Sequence, residues 1–256
     1  MLARSMNSGD DQARGATGKT SWLLVGLAVA TAIASAAAFP FDQEVSRAAM
    51  ELKPTQPAAF MAYLAIKSLG KGDMLIFALL LCCLTRMRQP AVQGLVGLAL
   101  IALPVMFIKL AVDRSRPAHA GDSFPSGDTA SVVVALVPMA MAAPVLWLPV
   151  AALIVLVAGF RMVDGNHYPS DVLAGASLGF LADFLALKYA PRKWLRPRKR
   201  VIYWLLGPAL IVCVIVTATS GGETPLKGFV LLVLPLLLIG VLLERRRLVR
   251  IMRARM

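Results

Sequence analysis

Apolar runs long enough to cross a bilayer recur along the whole of this chain, and they limit its fold more than any other feature. They lie near 22–39, 73–86, 91–110, 127–143, 146–160, 172–189, 201–218 and 227–243. A hydrocarbon core about 30 Å thick takes roughly 20 helical residues to cross. Backbone inside it must satisfy its own hydrogen bonds, which leaves helices or closed barrels. These runs are too long and continuous for barrel strands, whose residues alternate in polarity. The fold class that follows is an all-α integral membrane protein. The composition agrees: of 256 residues, 58% are hydrophobic and 16% charged, against about a quarter charged in a soluble domain.

The formal net charge is +13. Nucleic acid is one reading of such a balance, but the positions of the charges favour a membrane and no nucleic acid. Eight spans put both termini on one side. That side carries Arg4, Arg14, Lys19, Arg86, Arg88, seven basic residues from Lys188 to Arg200 and six arginines from Arg245 to Arg255, together 18 of the 27 lysines and arginines. The excess of basic residues in cytoplasmic loops then makes both termini cytoplasmic in a multi-pass protein of the plasma (inner) membrane. The basic tails serve as topology determinants or as anionic-lipid contacts.

Residues 1–20 are polar and read as a disordered cytoplasmic N-terminus. Trp22–Phe39 ends in a signal-like Ala-Ser-Ala-Ala-Ala, but it is longer than a signal core and is preceded by Asp10 and Asp11, so it reads as a retained first helix. Residues 40–72 read as an external loop plus an interfacial helix. Segments 111–126 and 161–170 form two outer loops, with Ser126 as the cap of the helix that follows the first. Ala174, Gly175, Ala176, Ser177 and Gly179 offer a small-residue face for close helix packing. A basic linker at 191–200 leads to a two-helix hairpin at 201–256. Cys82, Cys83 and Cys213 lie within spans and lack metal-ligand spacing. Trp22, Trp194, Tyr203 and Trp204 sit near span ends, where an aromatic belt belongs.

Three short polar blocks fall on the outer side of this topology. Lys109 is followed after six residues by Arg116-Pro117; then come Pro125-Ser126-Gly127-Asp128; then Arg161, five residues, His167, three residues and Asp171. A transferring phosphoryl group spreads negative charge over its equatorial oxygens, and cations and N–H donors that hold those oxygens are the main catalytic device. Lys109, Arg116 and Arg161 supply cations, the arginines as planar forks. Ser126 and Gly127 stand at a helix N-terminus, where unpaired N–H groups favour an anion. His167 is a competent nucleophile for phosphorus if one ring nitrogen is unprotonated and the other held. Asp171, four residues on, is placed to hold it, the orienting role of the acid in hydrolytic triads.

Lys109-x6-Arg116-Pro117, Pro125-Ser126-Gly127 and Arg161-x5-His167-x3-Asp171 resemble the three-part signature of the type 2 phosphatidic acid phosphatase superfamily. The resemblance covers about residues 22–190. It implies a six-helix phosphatase core over 21–190, a reaction without metal or cofactor, and a phosphohistidine intermediate. It also implies a phosphorylated lipid as substrate, His167 as nucleophile, Asp171 as its partner, and Lys109, Arg116, Ser126, Gly127 and Arg161 as the phosphate holders. Two positions depart from the family pattern: Phe160 replaces a serine, and Asp128 replaces the histidine that acts as general acid.

Asp128 leaves three readings open. A leaving phosphate needs a proton far less than a leaving alkoxide, its second pKa being about 6, which favours the terminal phosphate of a lipid (polyprenyl) diphosphate. Alternatively Asp128 itself is the acid, or a base for water. Alternatively His119, the only other histidine, is recruited as an auxiliary acid. A lipid phosphomonoesterase, a lipid phosphotransferase and a non-catalytic lipid-phosphate binder or transporter are the competing functions. Elsewhere, Asp113 and Arg114 read as a surface or intra-loop pair. Asp164-Gly165-Asn166 reads as the turn presenting His167. Asp183 stands alone in its span with Lys188 nearby.

Overall fold

The structure, a computed structural model, describes residues 22–56, 63, 70–85 and 87–189. The expectations for 1–20, for the linker at 191–200 and for the hairpin at 201–256 lie outside the described residues. Among the described residues the chain is helical, and its single β-bridge joins Ser115 to Asp122. Helix α1 covers 22–38 and passes through a one-turn 3-10 segment, Phe39–Phe41, into α2, Asp42–Glu51. Then follow α3 (Gly72–Cys82), α4 (Arg88–Val112), α5 (Gly127–Ala142), α6 (Trp147–Val163) and α7 (Pro169–Tyr189).

The expected external loop at 40–72 therefore begins as helix. Pro40 sits in the first turn of the 3-10 segment, where its missing N–H costs nothing. Asp42 and Glu44 in the first turn of α2 complement the helix dipole. This continuation buries Asp42 and Ser46 and so brings an acid from the N-terminal part of the chain into the molecule's polar end.

Among the described residues, four helical stretches are long and apolar enough to cross a membrane: Trp22–Glu51, Arg88–Val112, Pro144–Val163 and Pro169–Tyr189. Helix α5 is shorter. Its 16 residues rise about 24 Å, less than a bilayer core. It is central instead, packed by α3, α4, α6 and α7, with Val132, Val133, Val134 and Val137 essentially inaccessible. A helix sheathed in protein has no lipid thickness to match. Leu103, Phe107, Leu110, Val155 and Ile33 face outward, as they should in a bilayer.

Small residues set the helix spacing. A Cβ on Gly175 of α7 would stand 2.3 Å from the Ser126 carbonyl at the start of α5. One on Gly179 would stand 2.7 Å from Val133 Cβ. The small-residue face expected on α7 thus meets α5, and Gly175 allows the contact nearest the site. Helix α1 docks on α7 through Ser177 Oγ donating to the Ala28 carbonyl (2.8 Å) and Ser35 Oγ donating to the Ser170 carbonyl (2.8 Å). Asp183 is fully buried on α7. Lys188 does not reach it; its ammonium lies over the rings of Phe184 and Tyr189.

Candidate active site

The three polar blocks meet where α4 ends and α5 and α7 begin. Helix α4 stops at Asp113, a left-handed C-cap residue (φ 46°) whose N–H donates to the Lys109 carbonyl at 2.9 Å. The chain then turns inward. The Ser115–Asp122 bridge and a 2.7 Å bond from Ser123 N–H to the Arg114 carbonyl close the following loop on itself. Lys109 Nζ (2.7 Å) and Arg116 Nε (3.3 Å) both donate to the Asp122 carbonyl, which holds the two cations together. The Arg116 guanidinium also reaches Asn166 Oδ1 at 3.2 Å. The second loop comes alongside through Ala118 N–H donating to the Gly165 carbonyl (3.0 Å). Gly165 is at φ +68°, with Ala118 too close for any side chain there.

The two helix starts are tied to each other. Ser126 caps α5 by accepting the Thr129 N–H, and its own N–H donates to the Asp171 carbonyl at 2.9 Å. The Ser126 hydroxyl is also paired with Thr129 Oγ1 (3.0 Å). At α7, Asp171 Oδ2 accepts the Tyr168 N–H at 2.7 Å. This is the reach-back of a third-position acid to the residue before the helix. Asp42 Oδ1 accepts the Ser170 N–H (3.0 Å), so a second unpaired donor of the first turn is met from α2.

His167 is nearly fully buried. Its Nδ1 lies 2.7 Å from the Ser123 carbonyl oxygen and 3.7 Å from Asp171 Oδ2. The close orienting contact is thus a backbone carbonyl, and Asp171 stands behind it. A carbonyl oxygen only accepts, so Nδ1 carries the hydrogen, and in the neutral ring the lone pair is on Nε2.

Arg161 is buried, and its Nε stands 3.1 Å from Asp128 Oδ2 in the first turn of α5. His119 donates from Nε2 to the Asp164 carbonyl (2.8 Å), bracing the first loop on the second. Asp164 lies at the end of α6. It accepts the Tyr63 hydroxyl and faces Lys53 at 3.7 Å. Burial, then the Asp164 carboxylate, raises the Tyr63 hydroxyl far above its usual proton affinity, so it stays a donor. Tyr63 also packs edge-on against Phe160, which gives the residue in the serine position an apolar partner.

One residue escaped the reading of the sequence. Arg114 is not a surface partner of Asp113. Its guanidinium donates to Asp171 Oδ1 (2.9 Å), Ser170 Oγ (2.8 Å) and Asp42 Oδ2 (2.7 Å). It lies over the rings of Tyr168 and Phe39, 4.1 and 4.6 Å from their centroids. One cation between two carboxylates links α2, the first loop and α7. The signal was weak: an arginine two residues before Arg116, and an acid at 42 with no evident partner.

Beside these groups a cleft of about 1020 Å³ runs between α1, α4 and α7. Ala32, Ala36, Ile108, Ala174 and Leu178 line its apolar wall, and Arg114, Ser115 and Pro125 stand at its polar end.

The stretch holding most of these groups has a family match. Residues 112–195 match the model of the PAP2 superfamily. The PAP2 match takes in the second and third polar blocks and Arg116 of the first; Lys109 lies just before it. A crystal structure of a transmembrane PAP2 type phosphatidylglycerolphosphate phosphatase from Bacillus subtilis aligns with 64% of this chain and 93% of its own, at 24% identity and a TM-score of 0.49. No curated protein matches the chain at the level of sequence.

Proposed function

We propose that the chain is a membrane-embedded lipid phosphatase acting through a phosphohistidine on His167. The observation that carries this reading is the single imidazole tautomer. With Nδ1–H given to the Ser123 carbonyl, the Nε2 lone pair is available in a site furnished by Lys109, Arg116 and Arg161. In the first step Nε2 attacks phosphorus, the bond to the leaving oxygen breaks, and its electron pair departs with that oxygen. In the second, water attacks phosphorus, the N–P bond breaks, and inorganic phosphate leaves. Lys109, Arg116, Arg161 and the amide of Gly127 hold the equatorial oxygens. Asp171 steadies the imidazolium as it forms. The apolar cleft takes the lipid tail. The site stands on the periplasmic or extracellular face, with both termini cytoplasmic.

The substrate we assign is a lipid diphosphate, with a lipid monophosphate leaving. At rest Asp128 is an ion-pair partner of Arg161 rather than a waiting proton donor, which suits a leaving group that needs little protonation. Labelled lipid diphosphate, mixed with wild type and quenched in alkali, should leave an acid-labile label on the protein that His167→Gln lacks. Phosphate release by His167→Gln at the wild-type rate would overturn the mechanism. Faster release from the matching lipid monophosphate would overturn the diphosphate assignment alone.

A further inference from the structure

The Asp128–Arg161 contact is unequal in a way that matters. The arginine side chain is 6% exposed and held by α6; the aspartate is 34% exposed at the first turn of α5. The carboxylate is free to leave, and the guanidinium is not. A buried guanidinium without a counter-charge is costly, and the chain meets that cost from within. The same guanidinium is one of the groups the proposed reaction needs for phosphate. Two anions therefore compete for one cation and for one helix N-terminus.

We infer that Asp128 is an internal anion occupying Arg161 in the resting site, and that an oxyanion must displace it from Arg161 to bind. This rests on the reading of the site as a phosphate pocket. The charged groups around the exchange are Arg161, with Asp164 and Tyr63 beside it, Lys109 from α4, Arg116 and Asp122 from the first loop, and His167 and Asp171 at α7. Asp171 is already committed to Arg114 and to the start of α7. Asp122 is on the loop whose carbonyl holds Lys109 and Arg116. Asp128 is the carboxylate set directly on a phosphate-binding cation. Once an oxyanion takes that cation, Asp128 has lost its counter-charge and gained a like charge beside it, and both changes oppose binding.

Tungstate is a suitable probe because it stays a dianion across the range in which phosphate itself titrates. Full-length protein carrying His167→Gln, which removes both phosphoryl transfer and the titration of that imidazole, is compared by calorimetry with the same protein also carrying Asp128→Asn. The double variant should bind tungstate at least about tenfold more tightly than its parent near pH 8. Asp128→Ser gives the same test with a smaller side chain if the asparagine protein folds poorly. Equal affinity with and without Asp128 would sink the inference and leave the phosphate pocket standing. Failure of every protein to bind tungstate would sink the pocket reading and the inference with it.

Discussion

At the scale of single residues, the arrangement depends on where each carboxylate finds its cation. Asp171 has one oxygen on the Tyr168 N–H and the other on Arg114, and Arg114 in turn holds Asp42. Both acids are fully buried, so removing the guanidinium leaves two uncompensated charges. Arg114→Ala should cost about 3–5 kcal/mol of stability, seen as loss of folded protein in detergent. Arg114→Lys keeps the charge but not the fork that spans two carboxylates. It should fold, unfold at a lower temperature than wild type, and lose turnover more than substrate affinity. An unchanged kcat in Arg114→Lys would show that the network does not act through Asp171 on His167. This residue was hard to see in the sequence because its partners are 72 and 57 positions away. Lys109, Arg116, Arg161 and His167 were legible because their chemistry is local in motif spacing. The Ser123 carbonyl behind His167 was not, since a backbone acceptor leaves no mark on the residue type.

Among the elements, the junction of α5 and α7 fixes the site. The cap at Ser126, the reach-back of Asp171 and the bond from Ser126 N–H to the Asp171 carbonyl lock two helix starts into one unit. Gly175 makes the approach possible. Gly175→Ala would put a methyl 2.3 Å from the Ser126 carbonyl, and backbone at a tied helix start has little room to move. The variant should lose about 1–3 kcal/mol and much of its activity, measured by thermal unfolding beside phosphate release. Gly159 of α6, with nothing within 4 Å of its virtual Cβ, is the control. Gly159→Ala should be neutral or stabilising by up to about 1 kcal/mol. Equal effects at the two glycines would mean that helix propensity, not close packing, decides. The small-residue stretch on α7 announced this interface in the sequence. Helix α2 gave no such warning, because Asp42, Gln43 and Glu44 read as polar loop until a buried arginine is there to receive the first of them.

At the scale of the whole molecule, apolar runs located the long described helices and missed how they share the bilayer. Helix α5 read as a span like the others, yet it is a protein-sheathed core helix too short to match the hydrocarbon thickness, a distinction set by neighbours rather than by hydropathy. Its direction still decides the sidedness of the site. The candidate site lies at the Gly127 end of α5, and the turn at Pro144–Leu146 lies beyond the Ala142 end. If basic residues hold both termini in the cytoplasm, the first of these faces outward and the second inward. Two exposed positions report on this: Ala120 in the first loop and Val145 in the opposite turn. With Cys82, Cys83 and Cys213 replaced by alanine, Ala120→Cys should react with an impermeant maleimide on intact cells. Val145→Cys should react only after the membrane is opened. The reverse pattern would put the cations and His167 on the cytoplasmic side. It would also require a substrate whose phosphate is presented there, while leaving the chemistry at His167 unaltered.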